Sequence, residues 1–317
     1  MKKIFIESLK PGVVVDDLFV LAEKTLSRKR DGAPYLLVTL ADRSGRIKGV
    51  MWDGVDLVDG DIAAGDLVRV KGSISEYKGN LQLVLRELLP CAPELMNPAD
   101  FLPATARDVE QMFAGIRNLT ASMTNAHLRL LFDRYWEDAA FVDGFKRAPA
   151  AKRMHHAYIG GLLEHTLSMA KLADRIAGHY DGIDRDLLLA GVILHDAGKT
   201  REFFYDSRID YSDEGRLVSH IVISVEMLNE KLRGLPDFPP TLAVLLKHMI
   251  ISHHGEREFG SPEPPKTIEA VLLHYIDEID AKVTGIRDFM AAEDPDADWT
   301  SYHRLLGRHF YKGKDLS

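Results

Sequence analysis

Residues 185–199 read RDLLLAGVILHDAGK, and the fold of half the chain turns on how that run is taken. From Leu187 to Leu194 every side chain is apolar or small, which predicts a helix buried on all sides. The run nevertheless ends on His195 and Asp196, two polar groups that would be carried into the interior and need partners there. A metal ion would partner both. Gly198 then closes the helix, and Lys199 brings an ammonium to the same place, as phosphate chemistry wants.

Around this run, segments with apolar residues three and four apart predict further helices over 156–180, 216–232, 241–255 and 266–290. Each carries a polar residue of the right kind: His165, His220, the pair His253-His254, and Asp277. The segment PEPPKT, 262–267, stops one helix and starts the last. Taken singly, each histidine reads more readily as a hydrogen-bonded core residue. What outweighs that reading is the ordered series, one candidate per apolar helix, ending in LHYIDEIDAK with two acids, Asp277 and Asp280, on a largely buried pattern. Imidazoles with carboxylates and no thiolate suit Mn, Fe, Zn or Ni. His179, His248, His274, His303 and His309 fall outside the series.

Composition divides the chain along the same line. Of 13 histidines none precedes His127, and ten lie between His155 and His274. The first 90 residues hold 14 Lys/Arg against 13 Asp/Glu, so the net charge of −8 comes from residues 91–317. The first 90 read as about five strands: 16–27, then APYLLVTLADRSG running through a turn into RIKGVMWD, then DLVRVKGSISEY and NLQLVLREL joined at Lys78-Gly79. The count and spacing suit a small all-β barrel of the oligonucleotide-binding (OB) type. The expected organisation is a barrel over 1–92, a helical linker or subdomain over 93–150 that is also a candidate homo-oligomer interface, and an all-α bundle over 151–317.

Several classes are excluded. The single Cys91 allows no intrachain disulfide and no cysteine-rich zinc module, so a reducing cytoplasmic setting is expected. Glu7 interrupts the apolar start too early for a signal peptide, and no run approaches the ~20 residues of a membrane span.

An OB barrel holds strands on its second and third strands and on loops 1–2 and 4–5. Candidate phosphate-following bases are Arg28, Lys29 and Arg30 in the first loop, Lys78 in the second, and Arg69, Lys71 and Arg86 on strands. Tyr35, Trp52 and Tyr77 are candidates to stack on bases, Trp52 being the one expected in the core.

The order His165, His195-Asp196, Asp277, with HDAGK, resembles the HD-domain metal-dependent phosphohydrolases. More narrowly, HHAYIGGLLEHT (155–166), SHHGEREFGSPEPPKT (252–267) and EAVLLHYIDEIDAK (269–282) behind an OB-like module resemble the YhaM-type 3′→5′ exoribonucleases. The cyclic-dinucleotide branch of the superfamily has GYP where this chain has FGSPEPP, which points away from that branch. The resemblance implies an N-terminal OB barrel, a C-terminal HD helical bundle, and a 3′→5′ exonuclease acting on single-stranded RNA or DNA. It implies two divalent ions, Mn first, with Fe, Ni, Zn or Mg as alternatives. His165, His195, Asp196 and Asp277 would hold the first ion, Asp196 would bridge, and His220 and His253 would complete the second site. His254 would either ligate or bond phosphate, and Asp280 would either support a ligand or pair with a base. Lys199, with Arg153 and His156, would neutralise charge on the phosphoryl group, and paired ions would activate water. Two other readings stay open: a phosphohydrolase of mononucleotides or small phosphoesters, and a non-catalytic nucleic-acid-binding factor with structural metal.

Overall fold

The computed structural model describes residues 2–29, 31–55, 62–77, 79–92, 97–152, 155–206 and 208–313. It falls into two units, residues 1–104 with 204–210, and residues 105–203 with 211–317.

Alternation of buried and open side chains makes the first unit a barrel. Strands β1 (Val14–Arg28), β2 (Pro34–Asp42), β3 (Gly45–Met51), β4 (Leu67–Tyr77) and β5 (Asn80–Pro90) close in the order β1-β2-β3-β5-β4. Among the described barrel strands, β3 and β5 run parallel and the other neighbours antiparallel. In β4 the inward residues Val68, Val70 and Ile74 join Phe19, Leu21, Leu40, Leu83 and Leu85 in the core. The register between β4 and β5 shifts between Lys71 and Gly72, where β5 carries the extra residue Arg86. A Cβ on Gly72 would lie 2.3 Å from the Val84 carbonyl oxygen, so only glycine fits opposite that bulge. The N-terminal segment is tied to the barrel by Lys2, whose buried ammonium donates to the Leu18 carbonyl (2.8 Å), pairs with Asp42 (3.2 Å) and lies 3.6 Å from the Phe19 ring centre.

The second unit is helical. After the short α1 (Pro98–Phe101) of the first unit come α2 (Val109–Ala121), α3 (Ala126–Trp136) and α4 (Ala139–Arg147). Asp108, Asn125 and Asp138 cap their starts, and Phe113, Phe132, Tyr135, Phe141 and Phe145 fill the space between them. The bundle continues with α5 (Gly161–Ala177), α6 (Arg185–Leu194), α7 (Lys199–Glu202), α8 (Asp213–Leu217), α9 (Ser219–Leu232), α10 (Pro240–Ser252) and α11 (Ile268–Ala291). As the apolar run requires, α6 is buried from Asp186 to Leu194. A Cβ on Gly191 would come within 2.1 Å of the Met249 methyl, so the Met249 side chain of α10 packs against bare backbone of α6.

Two helices differ from the sequence pattern. The first begins at Gly161 rather than 156, because His156 and Gly160 adopt positive φ (54° and 82°) and turn the chain first. The segment expected as one helix over 216–232 breaks at Ser219, whose φ of 69° separates α8 from α9.

Asp186 joins the α2–α3 turn to α6. Its Oδ2 accepts from the Thr124 amide (2.6 Å), the Thr124 hydroxyl (2.9 Å) and the Asn125 amide (2.8 Å). Burial alone would raise its pKa, but the donors of Asn125 and Thr124 outweigh it and hold the carboxyl below its ordinary value. A lowered native pKa stabilises fully above the unfolded value of ~3.9 and is lost as pH falls through the native one. Asp186→Ala should therefore cost about 2–3 kcal/mol at pH 7. In denaturant titrations the gap between parent and variant should close on acidification below about pH 4; a gap unchanged at pH 2.5 would contradict this role.

Candidate metal centre

Five helices deliver polar side chains to one buried point. α5 supplies His165, the end of α6 His195 and Asp196, the start of α9 His220, the end of α10 His253 and His254, and α11 Asp277. Asp196 lies among them: its Oδ2 is 3.3 Å from His195 Nε2 and 3.8 Å from His165 Nε2. Its Oδ1 is 3.4 Å from His220 Nε2 and 3.7 Å from His253 Nε2. Asp277 Oδ1 stands 3.3 Å from His165 Nε2. Three groups have ligand atoms close enough to share an ion: His165 with His195 and Asp277, His220 with His253 and His254, and His156 with His165 and Asp280. In the third, both imidazoles are already hydrogen-bonded to Asp280; of the other two, each is faced by one oxygen of Asp196.

Each imidazole is aimed by its other nitrogen. His195 Nδ1 donates to the Val192 carbonyl (2.8 Å) and His253 Nδ1 to that of Ile250 (2.6 Å), both within their own helical turns. His254 Nδ1 donates to the Phe259 carbonyl (2.9 Å). His165 Nδ1 bonds Asp280 (2.8 Å), and His220 Nδ1 bonds Glu202 (2.8 Å). Glu202 also accepts the backbone N–H of His220 (2.9 Å), which accounts for the positive φ one residue earlier. Such outer partners fix tautomer and ring orientation at metal sites.

The inward atoms are left over. His195 Nε2, Asp196 Oδ1, His220 Nε2 and His253 Nε2 are buried without hydrogen-bond partners. Unmet buried polar atoms cost about 1–3 kcal/mol each, and four converging on one point fit a divalent cation. Burial lowers the pKa of His253 and His254, helped by neighbouring imidazoles, so their rings present neutral lone pairs. Asp196 behaves oppositely. Burial would raise it, but His195 and Lys199 hold it well below the carboxylate range.

Asp280 was open in the sequence between two roles, and the structure gives it one. It receives His165, His156 Nε2 (3.0 Å) and the Ser168 hydroxyl (2.5 Å), locking α5 to α11. This removes His156 from the expected phosphate contact, since its Nδ1 is also engaged, with the Tyr158 hydroxyl (2.8 Å). The half-buried ring beside the cluster is His155, 5.8 Å from His165 between centres, with a buried Nδ1 that lacks a partner. Lys199 is where expected, its ammonium 2.6 Å from Asp196 Oδ2. Arg153, Arg30 and Lys78 lie outside the described residues. Among the histidines outside the series, His248 accepts the Lys266 amide (2.8 Å) and His274 donates to the His253 carbonyl (2.9 Å).

On the barrel the named residues separate. Arg28 and Tyr35 lie at one end of β1 and β2, Arg28 opposite Pro34 and Ser27 opposite Tyr35. There Tyr35 stacks on Trp52 (5.1 Å), and Lys29 reaches Asp53 (3.2 Å). Trp52 is 44% exposed, so it is not the core residue expected. Arg69 and Lys71 lie at the other end of β1, opposite Leu18 and Asp16, and each has a carboxylate partner, Asp16 (2.8 Å) and Glu87 (2.7 Å). Tyr77 ends β4 and is 59% exposed. It lines a groove with Arg46 and Lys48 of β3, two bases the sequence pattern did not single out.

The barrel and the helical centre define an HD-domain protein with an OB-fold module: the HD domain matches residues 162–282, and an OB-fold nucleic acid binding domain matches 21–90. The 3′-5′ exoribonuclease YhaM of Bacillus velezensis is 36% identical over 306 residues, spanning 95% of both chains, and that of Bacillus subtilis is 35% identical over the same span. The chain belongs to the YhaM family. Among solved structures, the second OB-fold domain of replication protein A from Methanococcus maripaludis is similar over 28% of this chain and 92% of its own, at 22% identity and a TM-score of 0.23.

His165 gives the metal-free centre a pH signature. Burial alone would lower its pKa, but Asp277 and Asp280 raise it to about 9. Below that pH the ring carries a proton on Nε2 that an ion must displace. Metal affinity of the chelator-stripped chain should therefore rise about tenfold per unit from pH 7 toward 9, with proton release visible by calorimetry in buffers of different ionisation enthalpy. Affinity that is flat across this range would contradict the assignment.

Proposed function

We propose that the chain is a cytoplasmic, metal-dependent phosphodiesterase that removes nucleotides from the 3′ end of single-stranded RNA. The observation that carries this reading is the single carboxylate of Asp196 between two imidazole groups, each with inward atoms unpaired. That donor set suits two ions, with Mn, Fe, Ni, Zn and Mg as candidates. His165, His195, Asp196 and Asp277 would hold one, and Asp196, His220, His253 and His254 the other. Bound there, divalent ions lower the pKa of water toward ~7 and offset charge on phosphoryl oxygens.

The chain's own groups do the rest. Lys199, at the rim of the centre on Asp196, supplies an ammonium for the charge that builds on the phosphoryl group. Asp280 and Glu202 keep the His165 and His220 rings from turning. On the barrel, Arg28, Lys29, Tyr35, Trp52 and Tyr77 hold the strand loosely, by phosphate contact and stacking. Tethering that binder to the centre raises the local concentration of strand ends. The RNA substrate and the 3′→5′ polarity are supported by the names of the relatives.

A 5′-labelled single-stranded oligoribonucleotide with Mn²⁺ should shorten stepwise from its 3′ end, and chelator should stop the reaction. Asp196→Ala should lower the rate on the order of a thousandfold or more while strand affinity stays within about twofold. Intact RNA in every lane would overturn the proposal, and a deoxyribose strand in parallel measures sugar preference.

A further inference from the structure

A cavity of ≈ 520 Å³ opens beside the second imidazole group, lined by Glu202, Tyr211, Arg216, His220, His254 and Phe259. Its size is within the ~300–1,000 Å³ of small-ligand sites. Of its polar groups, Glu202 is bound to His220 and His254 Nδ1 to the Phe259 carbonyl, and the exposed Arg216 brings a guanidinium to its wall. Two aromatic rings, Phe259 and Tyr211, complete it. Phe259 is 70% exposed although it sits on a well-tied turn, with its amide bonded to Glu256, that of Gly260 to Arg257, and the Ser261 hydroxyl to Ile251. Tyr211 is braced from behind by Phe203, 5.2 Å between ring centres, and is crossed by the Lys152 ammonium at 5.5 Å. The turn thus places an exposed apolar ring beside the imidazole cluster.

We propose that this cavity seats the terminal nucleotide of the strand, with its base against the rings of Phe259 and Tyr211 and its phosphate toward His220 and His254. The inference rests on the nuclease reading and adds how the substrate is gripped. Rings stack on any base, so a grip made by stacking is sequence-tolerant. The bond between His254 and Phe259 sets the stacking platform at a fixed distance from the imidazoles, so the base orients the phosphate it carries.

Equilibrium binding of adenosine 5′-monophosphate and of ribose 5-phosphate to the full Mn²⁺-loaded chain tests this. The nucleotide should bind about tenfold more tightly than the sugar phosphate, and the other three ribonucleotides should match it within a few-fold. Phe259→Ala should abolish most of that difference with metal content and melting temperature unchanged, and Phe259→Tyr should restore it. Equal affinity of nucleotide and sugar phosphate in the parent chain would overturn the proposal. So would a preference that survives Phe259→Ala combined with Tyr211→Ala. If RNA stays intact while these binding differences appear, the nuclease reading falls and the nucleotide seat stands.

Discussion

A carboxylate cannot be carried to the end of a fully buried helix unless the rest of the fold supplies its partners, and Asp196 is carried there by α6. Its exposure is 2%. Four imidazoles and one ammonium from five segments are the response, and their convergence goes with α5 and α10 packing on α6 and α9 packing on α7 and α10. The positive φ values at Ser219 and at His156 are local costs accepted for that convergence. Without an ion, Lys199 takes up part of the charge on one carboxylate oxygen. The other oxygen and three imidazole nitrogens remain unpaired, so the metal-free fold is electrostatically unfinished.

Much of this centre is legible in the sequence because buried helices leave a strong periodic signal, and a histidine or acid inside that signal stands out. His165, His195, Asp196, His220, His253 and Asp277 all emerge that way, and the fold brings them together. The supporting shell is less legible. Glu202 sits in the short segment KTRE, and its task depends on a chain break at Ser219 that the continuous apolar pattern of 216–232 conceals. His155 and His156 are neighbours with opposite fates, decided by a positive φ at His156 that turns its ring toward Asp280. No periodicity records such a turn. Phe259 is invisible for another reason: its meaning lies in its exposure, which sequence does not carry.

The barrel gives a different lesson about charge. Counting bases by strand ignores their partners: register puts Arg69 and Lys71 beside Asp16 and Glu87, and Lys29 pairs with Asp53. Exposed pairs of this kind add little stability, but each carboxylate offsets a cation that a polyanion would otherwise meet. The end of the barrel with Tyr35, Trp52 and Lys29 differs in carrying a stacked aromatic pair with a base near it. Ring stacking is less sensitive to salt than phosphate contact, so a module of nearly neutral net charge can hold a strand by its bases.

The same division of labour explains how an acidic helical unit can act on a polyanion. The repulsion between a net negative surface and a strand is long-ranged and is screened beyond ~8 Å at physiological salt. On the proposed reading the attraction is short-ranged: ions at the buried centre would supply positive charge, and the rings at its mouth would take the uncharged part of a nucleotide. A site built this way needs no basic surface to collect its substrate. It needs a strand end to be delivered and then held by its base, and an exposed ring on a rigid turn beside the imidazoles meets the second requirement.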